Sequence, residues 1–91
     1  MAFKLNLYLL ELAEDKYYVG QTSDLNYRFH GHSNGSGAKW TNLYKPIRIL
    51  QSKEVTVNNY TDAMLQENWM TLQMMEIFGW ENMRGGDFVV V

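Results

Sequence analysis

The chain contains no cysteine and only one proline. Without cysteine, neither disulfide bonds nor a thiolate metal site can hold the fold together. Stability must therefore come from packing of the hydrophobic residues, which make up 46% of the 91 positions. A chain of this length predicts one small domain, residues 1–91, with a single modest core.

Long hydrophobic runs are also missing. The most apolar stretch, residues 5–12, is interrupted by Asn6 and Tyr8 and contains an acid at Glu11. A membrane span needs about 20 apolar residues, and a secretory signal needs an apolar segment followed by a cleavage site. We therefore expect a soluble, cytoplasmic protein that does not interact with a membrane.

Acidic residues are absent from the middle of the chain. The net charge is −2, yet no aspartate or glutamate occurs between Leu25 and Lys53. This segment carries two histidines, His30 and His32, and five cations: Arg28, Lys39, Lys45, Arg48 and Lys53. A local basic field attracts a polyanion whatever the overall charge, and this favours a nucleic acid partner. The alternative is a solvated surface that lacks acids for no functional reason.

The first third of the chain has the pattern of a β-hairpin followed by a helix. Residues 5–12 alternate as a strand, the polar turn 14–16 follows, and residues 17–21 return as a second strand. Pairing Leu12 with Lys16 places Tyr8 and Tyr18 on the same face. Ser23 is the expected N-cap of a helix that continues to about His32.

Three further elements complete the predicted fold. A short helical turn at residues 38–43 leads to a third strand at about 47–55, and a long helix begins near residues 59–61 and ends at Gly79. The predicted class is α/β (α+β), with a small three-stranded antiparallel sheet flanked by helices in the order β-β-α-(α)-β-α.

One acidic residue, Glu67, lies on the apolar side of the long helix. At 3.6 residues per turn, its neighbours on that side are Tyr60, Ala63, Met64, Met70, Met74 and Phe78. Burying an unpaired carboxylate costs several kcal/mol, so such a residue needs a cation, a hydrogen-bond network or a function. The helix alone leaves open a half-exposed acid paired with lysine or arginine.

The opposite side of the same helix carries Leu65, Trp69 and Leu72. If Glu67 faces the sheet, these three side chains point outward and form an apolar association surface. It would contact a second copy of the chain or a protein partner. The alternative is that residues 88–91 fold back and cover it.

Five features together resemble the GIY-YIG nuclease family. They are the paired motifs Asn6-Leu7-Tyr8 and Tyr18-Val19-Gly20, then Arg28, His32 one helical turn later, and Glu67 on the long helix. The resemblance covers nearly the whole chain, including residues 34–41 (NGSGAKWT). The first motif has Asn6 and Leu7 in place of glycine and isoleucine. The residues 84–87 are similar to the ending of some viral members.

The resemblance implies catalytic roles for Tyr8, Tyr18, Arg28, His32 and Glu67. Glu67 would bind Mg²⁺ or Mn²⁺, because such ions need few protein carboxylates when water and phosphate complete the shell. Arg28 would clamp phosphate oxygens. Tyr8, with Tyr18 beside it, would orient or deprotonate the attacking water, and His32 is the alternative proton carrier.

Substrate contacts are expected at Gln21, Lys39 and Trp40. Lys39 and Trp40 belong to the loop after the first helix, where the lysine would meet phosphate and the tryptophan would stack on a base. The alternative is an ordinary connecting loop. Gln21 stands where several family members carry lysine, which removes one positive charge from the site.

The implied function is a metal-dependent endonuclease acting on DNA. Two alternatives remain open on the same fold. One is a catalytically weak or inactive nucleic-acid-binding module, and the other is an interaction subunit whose partner supplies substrate choice.

Overall fold

A computed structural model of the chain describes residues 2–35 and 37–85. The strands in these residues are β1 (Phe3–Leu12), β2 (Lys16–Thr22), β3 (Pro46–Val57) and β4 (Met83–Gly85). The helices are α1 (Leu25–Ser33), α2 (Lys39–Leu43) and α3 (Tyr60–Phe78). This combination of one sheet and flanking helices confirms the predicted α/β (α+β) class.

The strands form one sheet in the order β3-β1-β2-β4. β1 is antiparallel to β2 and β3, whereas β4 is parallel to β2. The three predicted strands pair antiparallel as expected, but the predicted number was wrong, because it omitted β4. Three residues are too few to show an alternating pattern, and β4 pairs with residues more than sixty positions earlier, so local sequence gives no signal for it.

The hairpin register agrees with the prediction. Leu12 pairs with Lys16, Leu10 with Tyr18 and Tyr8 with Gly20. In the turn, Glu14 and Asp15 both have positive φ, 61° and 57°, and the Lys16 N–H donates to the Ala13 carbonyl. Two central residues with positive φ are the pattern of a type I′ turn, whose twist matches that of the flanking strands.

Each face of the sheet has its own apolar core. On one face Leu7, Leu9 and Val19 pack with Met70 of α3 and Met83 of β4. On the other face the buried residues are Tyr8, Leu10, Leu12, Tyr18 and Trp40, with Leu25 and Phe29 of α1 packed against them. The sheet is thus enclosed between α1 and α2 on one side and α3 on the other.

The helix boundaries follow their capping residues. α1 begins one residue later than predicted, because Asp24 rather than Ser23 is the N-cap and its Oδ1 accepts the Tyr27 N–H at 3.1 Å. Serine and aspartate cap equally well, so sequence does not choose between neighbours. α3 begins after Asn59, whose side chain accepts the Asp62 N–H, and ends at Gly79 with φ 90°.

The buried side of α3 is narrower than predicted. Ala63, Glu67, Met70 and Thr71 are buried, whereas Tyr60 is 77% exposed and Met64 is 36% exposed. The first turn of α3 lies at the corner of the sheet where β1 begins and β3 ends, since Ala63 packs on Leu5 and Val57. At that corner Tyr60 contacts the Phe3 ring, and most of its own ring remains exposed.

The outward side of α3 carries exposed apolar residues, as predicted. Leu65, Trp69 and Leu72 are all exposed, Trp69 to 64%. Leu65 and Trp69 also border a groove of about 450 Å³ beside β1 and β3, lined in part by Leu7 and Lys53. Residues 88–91, the alternative cover for this apolar surface, lie outside the described residues. Within the described residues, no helix is both long and apolar enough to cross a membrane.

Candidate active site

Two tyrosines and one arginine form the centre of the candidate site. Tyr8 on β1 and Tyr18 on β2 lie diagonally across adjacent strands, with ring centroids 6.4 Å apart, and both are buried. Arg28 of α1 lies close enough to both phenol groups to lower the pKa of each. The hairpin register and the one-sided spacing of α1 bring these three side chains together.

Gly20 allows the Tyr8 ring to occupy this position. The two residues are directly opposite each other in the β1–β2 ladder, and a Cβ at Gly20 would collide with the Tyr8 hydroxyl and the adjacent ring carbon. Position 20 therefore requires glycine, because the Tyr8 ring approaches its backbone closely.

We expect Gly20→Ala to lower the free energy of unfolding by about 1–3 kcal/mol, because the ring must leave its rotamer or shift the strand. Urea unfolding followed by circular dichroism measures the change. Ser52→Ala is the matched control, because Ser52 is exposed and faces Tyr8 from β3, and its effect should stay within about 0.5 kcal/mol. Equal stability of the Gly20 variant and the wild type would contradict the close approach.

His32 connects Tyr8 to the second helix. Its Nε2 lies 2.8 Å from the Tyr8 hydroxyl oxygen, and its Nδ1 lies 2.9 Å from Thr41 Oγ1. Thr41 in turn donates its hydroxyl to the Ala38 carbonyl at 2.8 Å. His32 and Thr41 are completely buried, so this chain of hydrogen bonds is enclosed by protein.

Burial sets the protonation states of the cluster. It is the largest cause that raises the pKa of Tyr8 and of Tyr18 above the usual value, and the Glu67 charge raises both further, against the lowering effect of Arg28. Burial, followed by the nearby Arg28 charge, lowers the pKa of His32 to about 4. At neutral pH both phenols are therefore protonated and the imidazole is neutral.

The low pKa of His32 predicts a pH-dependent stability. Between about pH 4 and the unfolded pKa of about 6.5, the unfolded chain binds a proton that the folded chain does not. We expect this group's contribution, up to about 3 kcal/mol, to be complete above pH 6.5 and to disappear as the pH falls to 4. Urea unfolding at pH 7.0 and 4.5 measures the loss.

The two histidines give this experiment its controls. His32→Gln should remove this part of the pH dependence, whereas the exposed His30→Gln should retain it. An unchanged slope in the His32 variant would show that other groups cause the acid sensitivity.

Glu67 occupies the position predicted for a buried acid. It is only 6% exposed, and its Oε2 accepts a hydrogen bond from Gln21 Nε2 at 2.8 Å. In the described part of the chain, no group of three or more His, Cys, Asp or Glu side chains is placed to hold a metal ion. A single hard carboxylate suits Mg²⁺ or Mn²⁺, which complete their shells with water and substrate phosphate, and does not suit an ion that needs a full protein cage.

The three predicted substrate contacts lie in different environments. Gln21 is half-buried and bonded to Glu67, and Lys39 is exposed at the start of α2. Trp40 is 5% exposed, donates its indole N–H to the Tyr17 carbonyl, and has the Arg84 guanidinium 4.4 Å from its ring centroid. Its ring belongs to the core and is not presented to solvent as a stacking platform.

A polar cavity adjoins the cluster on the outer side of α1. Its volume is about 310 Å³, and it is lined by Tyr27, Arg28, His30, Gly31 and Asn34. Arg28 lines this cavity and also lies close enough to the two tyrosines to lower the pKa of each, so the cavity is a route by which an anion would approach Arg28 from solvent. No acid lines the cavity among the described residues.

Two residues at the site were not singled out by the sequence. Thr41 bonds His32, and Gly37 lies so close to the His32 ring that a Cβ there would collide with it. Both belong to the segment 34–41 that resembles the family, but only the packing of α2 against α1 reveals their contacts.

Comparison with known proteins identifies the fold. The family model of the GIY-YIG catalytic domain matches residues 4–81. A UPF0213 protein of Lactococcus lactis subsp. cremoris is 40% identical over 62 residues, which are 68% of this chain and 61% of that protein. A UPF0213 protein of Cupriavidus necator is 52% identical over 44 residues, which are 48% of each. No solved structure matches the chain.

The matched part thus spans about half to three fifths of these two relatives. Both are bacterial proteins, and they give no support to the viral likeness of residues 84–87, of which Gly86 and Asp87 lie outside the described residues. The family model covers most of the chain, including Tyr8, Tyr18, Arg28, His32 and Glu67. The chain belongs to the GIY-YIG catalytic domain family, a family of nucleases.

Proposed function

We propose that this domain is a metal-dependent endonuclease that hydrolyses DNA phosphodiester bonds. The observation that carries the proposal is the convergence of two tyrosines, an arginine and a histidine, in which Tyr8 is hydrogen-bonded to His32 and Arg28 lies close enough to lower the pKa of both phenols. The Glu67 charge is near enough to raise the pKa of both tyrosines. Such a cluster combines a cation for the phosphate, a route for a proton and a hard carboxylate ligand.

Each side chain has a role that follows from its chemistry. Arg28 binds the non-bridging phosphate oxygens through its forked N–H groups, which a lysine would match poorly. Tyr8 would contact the attacking water through its hydroxyl oxygen, and the same hydroxyl lies 2.8 Å from His32 Nε2, so the two side chains can exchange a proton. Tyr18 packs its ring against Tyr8 and His32 from the neighbouring strand and would help to keep both in place.

Glu67 would hold the metal ion. A bound Mg²⁺ or Mn²⁺ supplies Lewis-acid stabilisation of charge on the phosphate oxygens. Gln21 orients the carboxylate by donating to Oε2. Because Gln21 is neutral, the site holds one positive charge fewer than a site with lysine there, and the proposal therefore includes a modest cleavage rate.

DNA would approach along the basic middle segment. Arg28 and His30 line the polar cavity, and Lys39 is exposed. The Lys45 ammonium would lie within 3.9 Å of a Cβ at Gly35, so it stands beside the end of α1. Arg28 and the two lysines would contact phosphates without selecting a base sequence. The association surface at Leu65, Trp69 and Leu72 remains a prediction.

Nicking of supercoiled plasmid tests the proposal. We expect relaxed circles to accumulate with Mg²⁺ or Mn²⁺ and none to form when EDTA removes the metal. Salt-sensitive DNA binding without nicking would instead support the nucleic-acid-binding module, and neither binding nor nicking would support the interaction subunit.

A further inference from the structure

Thr41 lies where it can decide which nitrogen of His32 carries the proton. It is completely buried, and its oxygen contacts two polar groups, the Ala38 carbonyl at 2.8 Å and His32 Nδ1 at 2.9 Å. A carbonyl oxygen can only accept a hydrogen bond, so the single hydroxyl proton of Thr41 is donated to Ala38. The Thr41 oxygen can then act towards His32 only as an acceptor, and Nδ1 must carry a hydrogen.

The protonation state of His32 Nε2 follows from that of Nδ1. The imidazole is neutral at pH 7, because its buried position lowers its pKa to about 4, so only one of its nitrogens is protonated. With the hydrogen on Nδ1, Nε2 has a free lone pair directed at the Tyr8 hydroxyl 2.8 Å away. Tyr8 therefore donates its proton to His32, and the order of donors runs from Tyr8 through His32 and Thr41 to Ala38.

We propose that Thr41 is a positioning residue that sets the His32 tautomer and thereby makes the Tyr8–His32 pair a one-directional proton relay. This inference rests on the proposed endonuclease activity. In the step, a water oxygen forms a bond to phosphorus and gives its proton to the Tyr8 oxygen, while the Tyr8 proton moves to His32 Nε2. The bond from phosphorus to the leaving oxygen breaks, and that oxygen takes a proton from solvent. His32 then returns its extra proton through Tyr8 to solvent, because its low pKa disfavours the imidazolium.

The relay explains how a buried phenol can serve at neutral pH. Burial raises the pKa of Tyr8, so a free phenolate is disfavoured and Tyr8 by itself is a poor base. When the phenol gives up one proton as it receives another, it never bears a full negative charge. The opposite tautomer of His32 would present an N–H to Tyr8 and leave the phenol proton without an acceptor.

Close packing supports the assignment. A Cβ at Gly37 would collide with His32 Nδ1, so the backbone at Gly37 lies against this edge of the ring. The Nδ1 edge therefore faces protein, with the Thr41 hydroxyl as its hydrogen-bond partner. This geometry results from the packing of α2 against α1. It fixes the orientation of the His32 ring as well as its tautomer.

Nuclear magnetic resonance of ¹⁵N-histidine-labelled protein tests the inference without any cleavage assay. The ¹⁵N shifts of the two ring nitrogens report which one is protonated, and the exposed His30 is an internal reference. We expect wild-type His32 to be protonated on Nδ1 at pH 7. A wild-type His32 protonated on Nε2 would overturn the inference, whatever the variants do.

Thr41→Val and Thr41→Ser separate positioning from packing. Valine keeps the volume and removes the acceptor, so we expect His32 to shift to the Nε2-protonated form and kcat for plasmid nicking to fall about tenfold to a hundredfold with KM unchanged. Serine restores the hydroxyl and should keep both the tautomer and the rate. A Thr41→Val protein that loses activity while His32 stays protonated on Nδ1 would make Thr41 a packing residue.

The two proposals fail in different ways. A protein whose wild-type form never nicks plasmid, but whose His32 tautomer follows the Thr41 hydroxyl, disproves the nuclease activity and leaves the tautomer assignment intact. A Thr41→Val protein with the wild-type nicking rate disproves the positioning role and leaves the nuclease activity intact.

Discussion

Glu67→Gln is expected to reduce plasmid nicking by about three orders of magnitude while the domain remains folded. The substitution preserves the side-chain volume but replaces a charged oxygen ligand with a neutral amide. Loss of several kcal/mol of metal-dependent stabilisation corresponds to about a thousandfold, at about 1.36 kcal/mol per factor of ten. Initial nicking rates at saturating Mg²⁺ measure the effect.

The free energy of unfolding of the Glu67→Gln variant should be equal to or higher than that of the wild type. Glu67 is 6% exposed, and replacing it removes the cost of keeping a charge in the interior. The amide introduced by the substitution retains an oxygen that can accept from Gln21. Glu76→Gln is the matched control, because Glu76 is an exposed acid on the same helix and its loss should leave both nicking and unfolding unchanged. Reduced stability with full nicking would instead identify Glu67 as a structural partner.

Arg28→Ala is expected to abolish detectable nicking, a loss of about a thousandfold or more, and to weaken DNA binding only a few-fold. Its guanidinium is close enough to both buried tyrosines to lower the pKa of each phenol. A donor aimed at the charge that develops in the transition state contributes several kcal/mol, whereas one phosphate contact among several contributes little to binding. Nicking rates and DNA-binding titrations, measured on the same preparation, separate the two effects.

Two variants control the Arg28 experiment. Arg28→Lys keeps the charge without the forked geometry and should recover only part of the rate. Arg48→Ala removes an exposed arginine that pairs with Glu11, and it should nick at the wild-type rate. Nicking by Arg28→Ala at the rate of Arg48→Ala would remove Arg28 from the reaction and undermine the proposed site.

The hairpin and the long helix were predictable because their signals are local. Alternation along β1, the polar turn and the Leu12–Lys16 pairing fix which residues share a face, and these put Tyr8 beside Tyr18. Asn59 and Gly79 mark the ends of α3 by their capping preferences.

Features that depend on distant contacts were not predictable. β4 pairs with β2, and its Met83 packs beside Val19 and Met70, but nothing within its three residues signals a strand. The apolar pattern of α3 predicts that Tyr60 faces the core, but Tyr60 lies at the corner of the sheet and is largely exposed. Thr41 was not predictable either, because its hydroxyl contacts His32 only when α2 packs against α1.

The residues of the candidate site were predictable only in part. The family resemblance gives the identity of Tyr8, Arg28 and Glu67, whereas the protonation states come from burial in the folded protein. Sequence reasoning left the proton acceptor open between Tyr8 and His32. The fold places the two in one hydrogen bond, which is why we propose that they act together in proton transfer.

The hydrogen bond between Gln21 and Glu67 joins side chains 46 positions apart in the sequence, and this has a consequence for biosynthesis. A nascent chain that has emerged only as far as β3 already contains both tyrosines, Arg28 and His32, but it has no acid to complete the site. Only when α3 has been synthesised and docked does Glu67 join them. During translation, the candidate site therefore remains without the carboxylate that the proposed metal ion would need until α3 packs against the sheet.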